Sequence, residues 1–468
     1  MNISSLKRHP DQCGFVDFIQ NLQTNSHLGR KRLLSQEWIS DPTEIERELG
    51  NMQSIEVAFL PENKRQTGAL CMLISEVKDI ERTLNNLSGS EILNEIELFE
   101  IKSFSFIAKK VFEVWQEFVV SNNLEIVGLD IISSDIFDEI VSILDPEKTG
   151  IQTFYIYDSY DAHLSQLRKS LDGEESAERI ADTQAEILKI EDRVKDMLSN
   201  RLRVYCDSLF KSLKTISYID LLLSKMAFAS TFGLKRPKVS DSGTVLEGMF
   251  NPIEKQALKN RGLDYQPTNI SFGRFPTLIT GINMGGKTLT IKTIGLCQML
   301  MQYGFFVPAT NASIELVDSV LVSFHAETLQ EEGLSSFASE MSCISDIIHS
   351  IQVGANSLIL IDELARTTNP KEGRAIVEAM LDILQRYEVK AFITTHYDIE
   401  TSCRRLRVRG IKEELLRQKT YTEKSLRKFI DYSLVEDTIA QTPNEAIRIA
   451  EMLGVSPLLI EKAKNRLK

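Results

Sequence analysis

Residues 281–290 read Gly-Ile-Asn-Met-Gly-Gly-Lys-Thr-Leu-Thr, and the apolar run Thr277-Leu278-Ile279-Thr280 immediately before them has the look of a buried strand. Glycine, four residues, then Gly-Lys-Thr is a phosphate-loop pattern. A triphosphate requires main-chain N–H donors that approach closely, which Gly281, Gly285 and Gly286 permit, and a cation for the β and γ oxygens, which Lys287 supplies. Thr288 is the expected Mg²⁺ ligand. From Thr290 to Leu300 apolar residues recur at helical spacing, so a helix N-terminus should point at the phosphates. Strand, loop and helix in that order argue against an ordinary glycine turn.

Two further strands complete the expected site. Ser357-Leu358-Ile359-Leu360-Ile361 runs without a polar break into Asp362-Glu363, as a fully buried parallel strand does when it delivers carboxylates to its C-terminal edge. Asp362 would hold the metal shell through water, and Glu363 would polarise the water that attacks the γ-phosphate. Ala391-Phe392-Ile393-Thr394-Thr395 then leads into His396-Tyr397. This sets an imidazole at the same sheet edge, where it gains a functional reading that a lone histidine lacks.

The stretch from about Gly248 to His396 resembles the ATPase domain of the MutS family, within the ABC-type nucleotide-binding fold. The resemblance rests on Asn283-Met284-Gly285-Gly286-Lys287, Phe306-Val307-Pro308-Ala309, Gly333-Leu334-Ser335-Ser336-Phe337 with Glu340-Met341, Asp362-Glu363-Leu364 and Thr395-His396-Tyr397. It implies ATP and Mg²⁺ as cofactors. The nucleotide contacts would be Gly281, Asn283, Gly285, Gly286, Lys287, Thr288 and Leu289, with Thr288 and Asp362 on the metal. It further implies that Ser335 reaches across a dimer to the γ-phosphate of the other subunit and that His396 is a switch histidine. Independently of the likeness, a Gly-x-Ser-Ser turn entering a helix presents N–H and O–H donors to an anion. Taken alone it is an ordinary helix cap.

Composition agrees with a large globular enzyme. At 468 residues the chain exceeds one hydrophobic core, so two or more domains are expected. Apolar content is 43% and charged content 26%, both ordinary for globular proteins. No apolar run approaches the ~20 residues of a membrane span, and the N-terminus lacks a signal-peptide core, so a cytoplasmic protein with no membrane partner is expected. Six cysteines without a Cys-x-x-Cys pair suggest reduced core thiols. The net charge of −12 is unlike that of a protein whose main task is gripping duplex DNA. The densest basic run, Arg404 to Arg409 and on to Lys428, reads as a solvated surface partly paired with Glu413, Glu414 and Glu423.

Between about Asn51 and Phe232 proline is nearly absent and apolar residues fall three and four apart, which predicts helices. Ile180, Ile187, Ile190, Val194, Met197 and Val204 mark one stripe suited to a coiled-coil or lever contact, continued by Leu209, Leu213, Ile216, Ile219 and Leu223. A plain helical bundle is the competing reading. Residues 171–176 look like a break between descending and ascending arms, leaving room for only a shortened clamp. Gly, Pro and Ser between Phe232 and Gly243 mark a linker. The expected organisation is an N-terminal segment (1–50), a helical core and lever domain (51–235), an α/β P-loop ATPase domain of ABC/MutS type (245–410) and a C-terminal dimerisation segment (411–468). In the last, residues 444–454 form an amphipathic helix closed by Gly454. Segments 247–252 and 266–272 should start the ATPase sheet and wrap near the adenine.

Mismatch-repair members of the family carry a preceding mismatch-reading domain with a Phe-x-Glu wedge. Here little chain precedes the helical region, and Phe137-Asp138-Glu139 lies inside the apolar-periodic run 136–144, where it reads as core packing. A second branch, linked to recombination and ribosome rescue, adds a nuclease-like tail for which the chain has no expected room after Lys468. The runs Lys287 to Leu296 and Asn369-Pro370-Lys371-Glu372-Gly373 nevertheless resemble that branch. The turn Ala365-Arg366-Thr367-Thr368-Asn369-Pro370 is similar to that of a compact group associated with reactivating adenosylcobalamin-dependent lysine or ornithine aminomutases. The resemblance thus implies an ATPase that works as a homodimer, or as a heterodimer with another MutS-like chain, and moves a helical lever on a macromolecular client. Aminomutase reactivation is the first reading of the client, and branched or mismatched DNA the alternative.

Overall fold

The computed structural model describes residues 13–150, 154–171, 176–281, 286–324, 336–411, 430–437 and 445–467, together with Ile3. The chain forms two compact units, one of Leu22–Gln36 with Gly50–Phe228, the other of Met1–Asn21, Glu37–Leu49 and Ala229–Lys468.

The first unit is helical among its described residues. Its longest members are Glu95–Ser121, Ala177–Leu202 and the larger part of Cys206–Phe232. Glu95–Ser121 starts with a capping box: Asn94 accepts from the Glu97 N–H, and the Glu97 carboxylate accepts from the Asn94 N–H, so two otherwise orphaned donors are satisfied. Phe137 is buried and its ring stacks on Phe112 with centroids 5.7 Å apart, so it packs in the core as its periodicity predicts, while Asp138 and Glu139 are exposed.

The predicted stripe needs correction. Ile187, Ile190 and Val194 are buried, but the next buried positions are Leu198 and Leu202, while Met197 is 37% and Val204 77% exposed. A helix turns 3.6 residues per cycle, so steps of four carry the buried face past the heptad positions. A 3₁₀ turn at Arg203–Tyr205 then ends the register. Beyond it Leu209, Leu213, Ile216, Ile219 and Leu223 are buried as expected, but so are Leu221 and Leu222. Cys206–Phe232 is therefore enclosed on most sides rather than striped.

Two sheets organise the second unit. The larger has six strands in the order β10-β9-β4-β8-β7-β6. Here β4 is Pro276–Thr280, β6 Ser319–Ser323, β7 Ser357–Ile361, β8 Lys390–Thr394, β9 Arg404–Ile411 and β10 Ile430–Glu436. All neighbours are parallel except β9 and β10. β4, β7 and β8 are buried at every position, which explains why they read as unbroken apolar runs. The smaller sheet has the order β1-β5-β2-β3, with β1 Lys238–Ser240, β2 Thr244–Met249, β3 Thr268–Phe272 and β5 Asn311–Glu315.

One face of the large sheet receives the helix Lys287–Gln302, where Gly295 lets the helix close on Leu360 and Cys13: a Cβ there would lie 2.7 Å from the leucine Cδ1 and 2.2 Å from the thiol sulfur. The opposite face packs Leu278, Ile359, Ile361, Ala391 and Ile393 against Ile344, Ile347, Val377, Leu381 and Leu384, from the helices Ser336–Gln352 and Pro370–Arg386.

Early residues complete this unit. The ring of Phe15 stacks on Tyr303 (5.0 Å), that of Trp38 meets the same tyrosine edge-on (5.5 Å), and the Trp38 indole donates to the Val317 carbonyl (3.1 Å). The described part of the basic run lies on β9, where Arg404 pairs with Glu436 (2.6 Å) and Arg405 with Asp437 (3.6 Å), both on or just after the antiparallel neighbour β10. Partners supplied by strand pairing are not visible as sequence neighbours. Glu413, Glu414 and Glu423 lie outside the described residues. Among the described residues no disulfide joins the cysteines, and no helix is long and apolar enough to cross a membrane.

Candidate active site

Strand order builds the site. β4 leads to the phosphate loop, β7 ends in Asp362-Glu363, and β8 lies between them. Thr394, at the end of β8, ties the two acids together. Its hydroxyl donates to Asp362 Oδ1 at 2.5 Å and accepts the Glu363 N–H at 2.9 Å. The other Asp362 oxygen, Oδ2, accepts from the Thr288 hydroxyl at 2.8 Å. β7 is held one step further out as well, with the Asp362 N–H donating to the Ser323 carbonyl of β6 at 2.9 Å.

Gly281 and Gly286 bracket the loop with φ of 123° and 75°, a region that L side chains enter at a cost. Gly286 caps the helix Lys287–Gln302. That helix therefore directs its unbonded N–H groups and the positive end of its dipole toward the loop. Lys287 is 3% exposed and donates to the Gly281 carbonyl at 2.8 Å. Burial lowers its pKa, opposed by the negative charges of Glu363 and Asp362. The geometry thus brings Gly281, Gly286, Lys287, Thr288, Asp362 and Glu363 to one sheet edge. Leu289 lies in the first turn of the helix, its carbonyl accepting from Thr293 at 2.6 Å. Asn283, Gly285 and Ser335 fall outside the described residues.

Glu363 has φ 48° and its carboxylate is paired with Arg366 at 2.6 Å. His396 follows β8 at the same edge. Its ring is exposed and lies 4.4 Å from that of Tyr397. Partial desolvation lowers its pKa, with Glu363 acting the other way and Lys287 and Arg366 reinforcing the shift, so the neutral imidazole is favoured. On the flank, the Gln266 side chain donates to Asp431 at 2.7 Å, and a Cβ at Gly286 would lie 3.4 Å from the Tyr432 ring. Segment 266–272 and β10 therefore frame the loop.

These residues fit a magnesium nucleotide. Thr288 and Asp362 offer converging hard oxygen donors, and Mg²⁺ in nucleotide sites takes one or two protein ligands beside phosphates and water. Such a site needs no carboxylate cage, and among the described residues no group of three or more His, Cys, Asp or Glu is arranged to hold a metal. Sequence reading missed Thr394 and Arg366. The threonine is visible in the run Thr394-Thr395-His396, but its role depends on which strand lies between the loop and the acids.

Residues 277–468 match the family model of MutS domain V. Among curated relatives, the protein named Endonuclease MutS2 of Caldanaerobacter subterraneus subsp. tengcongensis is 32% identical over 281 residues, covering 58% of this chain and 33% of that protein. Proteins of the same name from Clostridium tetani (31% over 281 residues; 59% and 34%) and Streptococcus gordonii (29% over 299 residues; 63% and 35%) are similar in the same way. The chain spans about a third of the length of these relatives. A helical region is thus followed by a P-loop α/β domain whose residues 277–468 are similar to MutS domain V, which gives this part of the chain the fold of a MutS-type ATPase domain.

Proposed function

We propose that the chain hydrolyses ATP and uses the cycle to grip and release DNA, acting as a pair of copies. The observation that carries the hydrolytic part is the Thr288–Asp362–Thr394 chain of hydrogen bonds beside Lys287 and Glu363. Lys287 and the helix N-terminus would hold the phosphates, Thr288 and Asp362 the Mg²⁺, and Glu363 the attacking water. Ser335 of a second copy would close the site, and the neutral His396 would register the γ-phosphate. Nucleotide can then drive the helical unit only as far as its affinity differs between two states of the protein. The setting is the cytoplasm. DNA is preferred as client because the similar proteins are named endonucleases; aminomutase reactivation finds no support in those names.

The test is ATP hydrolysis by the full chain alone, with branched DNA, and with a cobalamin-inactivated aminomutase, each at about 50 and 200 mM salt. Stimulation by DNA that weakens on the order of 10³-fold across that range supports phosphate contacts. Stimulation by the aminomutase and none by DNA overturns the DNA reading. Glu363→Gln should lower kcat by about 10²-fold or more, the usual contribution of a positioned general base.

A further inference from the structure

The turn that follows the two acids is held from outside. Ala365 is fully buried with φ 57°, two residues beyond Glu363 at φ 48°. Non-glycine residues stay in this region only when their surroundings over-determine it, and here they do. The Ala365 N–H donates to Glu340 Oε1 at 3.0 Å, and the Ala365 carbonyl accepts the Tyr397 hydroxyl at 2.9 Å. Glu340 belongs to the first turns of the helix Ser336–Gln352, whereas Tyr397 directly follows His396. The phenol is itself confined by Gly373 of the helix Pro370–Arg386, where a Cβ would lie 2.5 Å from the hydroxyl oxygen. Both polar groups of a single residue are thus claimed by side chains from two other elements, and a third element fixes one of those side chains.

We propose that Glu340 and Tyr397 are positioning residues for hydrolysis. By gripping the Ala365 residue from both sides they set the 363–365 turn, and with it the direction in which Glu363 presents its carboxylate. A movement of the helix Ser336–Gln352 is then felt at Glu363 through one hydrogen bond. The inference rests on the reading of Glu363 as the hydrolytic carboxylate. It assigns to both side chains an effect on the chemical step and not on nucleotide affinity, because they act on the acidic turn and leave the phosphate loop untouched.

The experiment measures kcat, KM for ATP and the urea unfolding midpoint of the full chain carrying Glu340→Ala, Glu340→Gln, Tyr397→Phe, or Glu340→Ala with Tyr397→Phe. Misplacing a catalytic group by a fraction of an ångström to 1 Å costs up to about 10²-fold, so Glu340→Ala and Tyr397→Phe should each lower kcat by about tenfold. KM should stay within about twofold, as expected when only a transition-state interaction is lost. Glu340→Gln keeps an oxygen acceptor and should remain within about threefold of the parent. The double variant should fall little below the worse single one, because both side chains act on the same residue. Tyr397→Phe removes one oxygen and keeps the ring, so it tests the proposal even if Glu340→Ala does not fold. An unchanged kcat in folded Tyr397→Phe, a raised KM at constant kcat, or full multiplicativity in the double variant would overturn it. If Glu363→Gln hydrolyses ATP at the parent rate, the reading of Glu363 fails; if it is inactive while the other variants behave as the parent, only the positioning role fails.

Discussion

Replacing Thr394 by valine keeps the shape of the side chain and removes its hydroxyl, which joins both acids to β8. In the parent the hydroxyl donates to the Asp362 carboxylate at 2.5 Å and accepts the Glu363 N–H at 2.9 Å, and Thr394 is fully buried. A hydrogen bond to a charged group contributes about 1.5–3 kcal/mol, and a buried N–H left without an acceptor costs about 1–3 kcal/mol. The two effects share one oxygen, so the expected loss is about 2–4 kcal/mol. Thr394→Ser retains the hydroxyl and gives up one methyl group, about 1 kcal/mol. The chain has two tryptophans. With Trp115 changed to phenylalanine, emission reports Trp38, which packs on Tyr303 in the ATPase unit. Urea unfolding followed in that background should show a midpoint lower by about 0.7 M or more for Thr394→Val, given slopes of about 1–3 kcal/mol per molar urea. The kcat for ATP should fall by at least about tenfold, the equivalent of about 1.4 kcal/mol in the transition state. A valine variant within about 0.5 kcal/mol of the parent, as for an ordinary surface change, would refute the reasoning. So would a serine variant as damaged as the valine one.

The helical unit should lose stability in acid through Asp145. Burial would push its pKa up, but donation from the Gly150 N–H and the Thr149 and Tyr157 hydroxyls outweighs that and holds it at about 2. Because the folded value is depressed, the contribution is complete above the unfolded carboxyl range. It is lost as pH falls from about 4 toward 2, amounting to about 2 kcal/mol. Circular dichroism against pH should show Asp145→Asn less stable at neutral pH and flatter across that window; a parallel curve would count against it. Phe137→Ala should cost about 3–5 kcal/mol by opening the core beside Phe112. It should leave any preference among DNA substrates unchanged in folded protein, whereas a lost preference would show that the tripeptide touches DNA. Gly295→Ala should destabilise the ATPase unit by about 1–3 kcal/mol through overpacking against Leu360 and Cys13, measured by thermal unfolding; an unchanged midpoint would mean that the helix shifts freely on the sheet.

Much of the nucleotide edge was legible along the chain because its parts are local. A buried parallel strand must be apolar at every position, so β4, β7 and β8 announced themselves. The loop glycines, Lys287 and Thr288 lie within a few residues of one another, where spacing alone carries the chemistry. Register over longer distances was less legible. The heptad reading placed Met197 and Val204 on the buried face, whereas the helix period moved that face to Leu198 and Leu202. The arginines of β9 found their partners in Glu436 and Asp437 through strand pairing, which no count of nearby charges anticipates.

The amino-acid sequence by itself determined the kind of site: a phosphate loop between a buried strand and a helix, two acids at the end of a second strand, a histidine after a third. Those features follow from local rules, since hydrophobic periodicity, positive-φ glycines and short-range spacing need no knowledge of the rest of the fold. Only the tertiary structure decided how the site is held. It set β8 beside β7, so that Thr394 holds both acids. It brought Glu340 and Tyr397 onto Ala365 from separate elements, and it packed Phe15 and Trp38 against Tyr303 from far upstream. Hydrogen bonds and packing contacts between residues distant in sequence depend on strand order and helix placement, and these are settled when the whole hydrophobic core closes rather than by any one segment.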